Sequence, residues 1–299
     1  MPLETLALPA TETVAARMRG LDTWTPELIL QALWEQQLAA VAAVGPALPA
    51  IAAAAAAAVP RLLAGGRRVY AGAGTSGRIG VQDGAELPPT FDWPAERLVL
   101  LMAGGAAAFT QAIENAEDDA ASAEAAIAAH RVGPQDVVIG IAASGSTPFT
   151  TVALAAARQR GALTVAVANA VGTLLAVAEF PILVETGSEA VAGSTRLKAG
   201  TAQKVVLNLF STLVMIRLGR VHDGLMVDMQ ARNAKLRARA VRMLRQLTDC
   251  DEAAAVAALG RTGGRVKPAV LAVFGSDAPD AVLDRHDGSL RAALAEIGR

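Results

Sequence analysis

Aromatic side chains make up only 3% of this 299-residue chain, against 53% hydrophobic residues overall. Its core must therefore be built largely from Ala, Val and Leu, with helices that can approach closely. The single cysteine, Cys250, excludes an intramolecular disulfide or a cysteine metal cluster, and its neighbours Asp249 and Asp251 disfavour a thiolate. Three histidines, His130, His222 and His286, are scattered without ligand spacing, so no metal is expected. Charge of either sign is not in excess: 27 Lys and Arg face 28 Asp and Glu. The absence of a sustained basic run argues against a nucleic-acid partner. Mean hydropathy is high at +0.38, but the longest apolar run, Ile51 to Val59, is interrupted by Pro60-Arg61. It falls short of the roughly 20 residues a span requires, so no membrane association is expected. No basic stretch precedes Arg17, so no signal peptide is read and a cytoplasmic location is expected.

What is present is an alternation. Pro26 to Ala42 and Pro46 to Leu63 read as two Ala- and Leu-rich helices. Short apolar runs at Arg67 to Ala71, Arg97 to Met102, Val137 to Ala142, Leu163 to Val167 and Phe180 to Glu185 then read as strands. Between them, Phe109 to His130 and Thr147 to Arg160 read as helices, the latter with Pro148 in its first turn. Strands apolar throughout, alternating with helices, predict an α/β protein with a parallel sheet covered on both faces. After Gly193 the pattern becomes helical, at Ser194 to Gly219 and Leu225 to Leu247. Short helical pieces and an ambiguous strand signal at Val270 to Phe274 follow. The expected organisation is a main domain over residues 1–247, including the N-terminal helices, and a small all-helical region over 248–299.

In a parallel sheet, ligands bind beyond the carboxyl ends of the strands. Two hydroxyl-rich loops lie at such ends, Gly72-Ala-Gly-Thr-Ser-Gly77 and Ala143-Ser-Gly-Ser-Thr147. Each opens a helix, and backbone N–H groups at a helix start favour a phosphate. No Gly-Lys-Ser/Thr follows the first loop, which excludes a Walker A site, and the loop is read as lacking the Gly-x-Gly-x-x-Gly spacing of a dinucleotide site. Thr75 and Ser76 place hydroxyls where a dinucleotide loop keeps bare backbone, which favours a compact monophosphate. No Gly-x-Ser-x-Gly elbow surrounds a serine, so nucleophilic hydrolysis is not expected. Two carboxylates stand out: Glu86, placed before Pro88-Pro89, which are expected to end a helix, and Glu117, on the expected helix after the second strand. Such a pair suits acid–base chemistry on a sugar; solvated helix acids are the alternative reading. Ser194-Thr-Arg-Leu-Lys198 reads as an anion-binding helix start or as a capped helix with solvated charges.

Several blocks together carry a resemblance: Ala73-Gly-Thr-Ser-Gly-Arg78, Asp83 with Glu86-x-Pro-Pro-Thr-Phe91, Ala116-Glu-Asp118, Gly140-Ile-Ala-Ala-Ser-Gly145 with Thr147-Pro148, Gly193-Ser-Thr-Arg-Leu-Lys-Ala-Gly-Thr-Ala-Gln-Lys204, and Leu225-Met-Val-Asp228 with Asn233-x-Lys-Leu236. In this order the chain resembles the N-acetylmuramic acid 6-phosphate etherases, which have the sugar isomerase (SIS) fold. It departs from them at Ser146, where arginine is usual, and at Asn169-Ala170, where Asn-Pro is usual. The resemblance implies a lyase that releases D-lactate from N-acetylmuramate 6-phosphate by elimination and water addition, without a cofactor. It implies Glu117 as the base at C2 and Glu86 as the acid and later base. Gly74, Thr75, Ser76, Ser144, Ser146 and Thr147 are then expected at the sugar phosphate, with Ser194 and Lys198 as further ligands. It also implies a homodimer, with the long helices after Gly193 as the subunit contact. A sugar-phosphate-binding regulator resembling glucokinase regulatory protein, and an aldose-ketose isomerase, are the alternatives.

Overall fold

A computed structural model describes residues 10–299 other than 230 and 232. Two helices, α1 (Pro26–Ala42) and α2 (Leu48–Leu63), precede strand β1 (Arg68–Gly72) and helix α3 (Gly74–Phe91). There follow β2 (Leu98–Met102), α4 (Ala120–Ala129), β3 (Val137–Ala142), α5 (Pro148–Gln159), β4 (Leu163–Ala168), α6 (Thr173–Val177) and β5 (Phe180–Leu183). The remaining elements are helical: α7 (Lys198–Arg217), α8 (Ala234–Thr248), α9 (Glu252–Arg261), α10 (Val266–Val273), α11 (Pro279–Arg285) and α12 (Leu290–Glu296). The expected α/β architecture is present, with all five strands parallel in the order β2-β1-β3-β4-β5. By length and composition, residues 26–63 and α7 would each suffice to cross a membrane.

Contacts group the chain into two compact units, residues 1–84 with 96–211, and residues 85–95 with 212–299. In the first, alternate strand residues Val69, Ala71, Val99, Leu101 and Val138 pack with Ala123 and Ile127 of α4 and Ala153 and Leu154 of α5. Chain reversal at β1 sends β2 to one side and β3 to the other, so the loops after β1 and β3 open side by side at the switch point of the sheet. The α3 helix lies close to the sheet because small residues face it. A Cβ on Gly77 would meet Met102 Sδ and stand 2.7 Å from the Gly72 carbonyl oxygen. In the second unit, Ala240, Met243 and Leu244 of α8 pack with Ala255, Ala258, Val270, Leu283 and Leu290. Residues 85–95 join it through Arg220, which donates to the carbonyls of Phe91 and Asp92 (2.6 and 3.1 Å) and lies over Trp93.

Three local expectations are corrected and one ambiguity is resolved. The helix expected over Phe109 to His130 is confined to α4. Asn115 adopts a left-handed backbone (φ 58°), and Asp119 caps the later start by accepting from Ser122 N–H, so Glu117 sits on a single 3-10 turn, Ala116–Asp118. Pro88-Pro89 do not stop α3, which runs to Phe91: the Asp92 N–H still reaches the Pro88 carbonyl, so only the final turn loses bonds. The helix expected from Leu225 begins at Ala234, where the Asn233 side chain accepts from Leu236 N–H. The ambiguous stretch Val270 to Phe274 resolves as helix, with Val270 to Val273 in α10 and Phe274 as its C-cap.

Asp136 fastens the entry of β3 to that of β1. Its carboxylate accepts from Arg67 Nη2 (2.7 Å), Arg67 Nε (3.1 Å), Arg67 N–H (3.0 Å) and Gly133 N–H (3.0 Å). Burial pushes its pKa up, but these donors outweigh burial and hold it below the ordinary carboxylate value. A depressed folded-state pKa means stability that is full above the unfolded-state value, near 3.9, and is lost as pH falls through the folded value. Asp136→Asn is expected to cost about 2 kcal/mol at pH 7. Urea unfolding at stepped pH should show variant and wild type converging in acid; a gap that does not narrow would contradict this.

Candidate active site

The two loops after β1 and β3 meet in a cleft of about 420 Å³ within the first unit, in the size range of small-molecule sites. Gly74, Thr75 and Ser76 line it from the start of α3, and Ser144, Ser146 and Thr147 from the turn before α5. The turn is shaped by Gly145 at φ 69°, where a Cβ would stand 2.5 Å from the Ala170 carbonyl oxygen. Ser144 Oγ accepts from Ser146 N–H at 3.2 Å and fixes the next step. Thr147 occupies the N-cap of α5, yet its side chain makes no capping bond, which leaves the hydroxyl to the cleft. Ser76 is buried and Thr75 partly so. Gly72, Gly74 and Gly77 do keep the spacing of the dinucleotide fingerprint; the hydroxyls of Thr75 and Ser76, not the spacing, distinguish this loop.

Glu117 joins these hydroxyls in the same cleft, and Asp118 lines it as well. The segment that carries them is tied to α3 by Arg78, whose Nε donates to the Ala108 carbonyl (3.0 Å) and Nη2 to that of Gln111 (2.9 Å). Among the described residues the cleft lining includes no lysine, arginine or histidine, although Arg78 shares an adjoining cavity with Gly74 and Glu117. An anion placed here would meet hydroxyls and the positive ends of two helices, α3 and α5. The acids lie on other segments. That separation suits a ligand with one anionic end and a reacting carbon at the other.

Three expected residues are placed elsewhere. Glu86 is exposed on α3, in the segment 85–95 that belongs to the second unit, and does not line this cleft. Neither do Ser194 and Lys198, although their neighbours Gly193 and Thr195 do. The Lys198 ammonium is buried and donates to the Thr186 carbonyl at 2.7 Å. Burial lowers its pKa, and Glu189 opposes that shift. Glu189, wholly buried, accepts from the N–H groups of Lys198 and Ala199 at 2.9 Å each and so caps α7. The cleft also holds Thr11 and Glu12, which no local pattern marks. Among the described residues, no group of three or more His, Cys, Asp or Glu is placed to hold a metal ion.

Residues 50–158 match the family model for the glucokinase regulatory protein N-terminal SIS domain. The chain is 50% identical over 290 residues to an N-acetylmuramic acid 6-phosphate etherase of Deinococcus radiodurans, covering 96% of this chain and 95% of that protein. It is 44% identical over 291 residues to one of Halalkalibacterium halodurans, covering 96% and 98%. Among solved structures, a phosphoheptose isomerase from Francisella tularensis is 20% identical with a TM-score of 0.49, over 64% of this chain and 100% of that one. The identity extends over nearly the full length of both etherases, well beyond the segment matched by the family model. The chain belongs to the N-acetylmuramic acid 6-phosphate etherase family.

Proposed function

We propose that this protein is a lyase that cleaves the D-lactyl ether of N-acetylmuramate 6-phosphate with water, giving N-acetylglucosamine 6-phosphate and D-lactate. The observation that carries the proposal is the union, in one cleft, of two hydroxyl-bearing helix starts with Glu117. In this reading Gly74, Thr75, Ser76, Ser144, Ser146 and Thr147 take the phosphate, and Ser194 and Lys198 support the adjoining rim. Ring opening exposes a C1 aldehyde, which acidifies the C2 proton and leaves the C3 ether oxygen β to the carbonyl. Glu117 removes the C2 proton. The electron pair forms the C2–C3 double bond, and the C3–O bond breaks as Glu86 protonates the departing lactate. Water, deprotonated by Glu86, then adds at C3 of the unsaturated aldehyde, and C2 is reprotonated. Glu86 is assigned through its Glu86-x-Pro-Pro-Thr-Phe91 motif. The work is done in the cytoplasm.

We further propose a homodimer. Leu30, Trp34, Leu38 and Val41 form one outer stripe of α1, 66%, 61%, 52% and 48% exposed, while Ala32 and Ala40 bury its inner side. A helix apolar on both sides belongs in a buried environment, which a second copy supplies. Leu209 of α7, 40% exposed, marks the helix expected to join the contact.

Glu117→Gln and Glu86→Gln are each expected to lower the rate of lactate release from N-acetylmuramate 6-phosphate by about 10²-fold or more, with wild type active; an active double variant would remove both assignments. In H₂¹⁸O the label is expected at C3 of the product sugar, and retention of the original C3 oxygen would refute elimination and addition. Light scattering is expected to give a dimer mass for wild type and a monomer mass for the Trp34→Glu/Leu38→Glu variant. A monomeric wild type would contradict the dimer.

A further inference from the structure

The cleft contains an acid that the proposed reaction does not use. Glu12 lies on a short segment that crosses the cleft from the N-terminal side, and it is pinned there at two points. The Gly193 N–H donates to the Thr11 carbonyl at 2.9 Å, and the Thr13 and Ser188 hydroxyls are 3.0 Å apart. The Glu12 carboxylate rests against Gly193, so closely that a Cβ there would come within 2.8 Å of Oε2. Thr11, beside it in the lining, is 1% exposed, and among the described residues its hydroxyl has no hydrogen-bond partner. An orphan buried hydroxyl next to a polar cleft marks a place where bonding is incomplete without an occupant.

The charge of the site makes Glu12 informative. Glu12, Glu117 and Asp118 are three carboxylates on a lining that, among the described residues, has no basic side chain. An acid with no reacting role weakens the binding of any anion by like-charge repulsion. It helps only a ligand that offers it a hydrogen bond, and a carboxylate accepts from neutral O–H and N–H donors. An element that repels the wrong ligand and rewards the right one is a specificity device.

We propose that Glu12 is the residue that distinguishes a phosphorylated amino sugar from other anions, by accepting a hydrogen bond from a neutral donor of the sugar, a ring hydroxyl or the amide N–H. This rests on the lyase reading for the identity of the sugar, but its test does not need turnover. Held in the ground state and the transition state alike, such a bond affects KM and not kcat.

Calorimetric titration of the full-length protein with N-acetylglucosamine 6-phosphate, and separately with inorganic phosphate, provides the test. Glu12→Ala is expected to weaken the sugar phosphate about tenfold while leaving phosphate binding unchanged or stronger, with Glu12→Gln in between, since its amide oxygen still accepts. In the lactate assay KM should rise by the same factor at a kcat within about threefold of wild type. A 4-deoxy sugar phosphate that erases the difference between Glu12→Ala and wild type assigns the C4 hydroxyl as donor. A difference that persists assigns another donor of the same sugar. Equal weakening of sugar phosphate and inorganic phosphate would mean a structural role and overturn the inference, as would unchanged sugar affinity in Glu12→Ala or no sugar binding by wild type. Sugar binding that depends on Glu12, without lactate release by wild type, would sink the lyase reading and leave this inference standing.

Discussion

A wholly buried guanidinium holds the first unit in register. Arg68 on β1 donates to the Tyr70 hydroxyl (2.7 Å), which donates to Asp83 on α3 (2.6 Å), and Ser211 on α7 donates to the other oxygen of Asp83 (2.9 Å). Arg68 also lies over the rings of Tyr70 and Phe210, 5.4 Å from each centroid. Breaking a buried charge pair of this kind costs about 3–5 kcal/mol, far more than an apolar replacement of the whole set. Burial drives the Tyr70 pKa well up, so its hydroxyl remains a donor at every pH at which the fold exists. Such a network tolerates one position of α3 on β1. That position brings Gly77 against Gly72 and aims the first turn of α3 beyond the end of the strand. An alanine-rich core has few large side chains with which to fix a helix by shape, and this polar tie does so by directed bonds.

The consequence reaches the chemistry. With α3 fixed, its N-terminus and that of α5 converge at the switch point of the sheet, so two helix starts and the hydroxyls of both loops face one cleft. The hydroxyl-bearing loops and the turn that carries Glu117 are separate segments, and Arg78 of α3, which shares an adjoining cavity with Glu117, fixes the approach to that turn by bonding carbonyls of the 106–111 segment.

Much of this was legible in the residues. The five strands are short apolar runs, and all five appear where expected because strands of a central parallel sheet are buried on both faces and so read as continuous apolar stretches. The two hydroxyl loops were legible for the same reason, each following a strand and opening a helix. The segment between β2 and α4 was not: its alanines favour helix, but Gly104, Gly105 and Asn115 all take left-handed backbone, and Asp119 supplies a later start. The continuation of α3 through Pro88-Pro89 was hidden because the two missing N–H groups cost the Gly84 and Ala85 carbonyls their bonds, and proline is therefore read as a helix stop even where the backbone carries on to Phe91. Thr11 and Glu12 carry no local signal; the pairing with Gly193 that places them spans the length of the unit. The buried role of Lys198 was likewise invisible, since its partner, the Thr186 carbonyl, has no sequence signature.

The central claim is that a carboxylate of this cleft removes the proton at C2 of a phosphorylated amino sugar held by the two loops. Running the reaction in D₂O and reading the isotope at C2 of the product by mass spectrometry and proton NMR tests it most directly. The account predicts one solvent deuterium at C2 in each product molecule; product that keeps its original C2 hydrogen would contradict it.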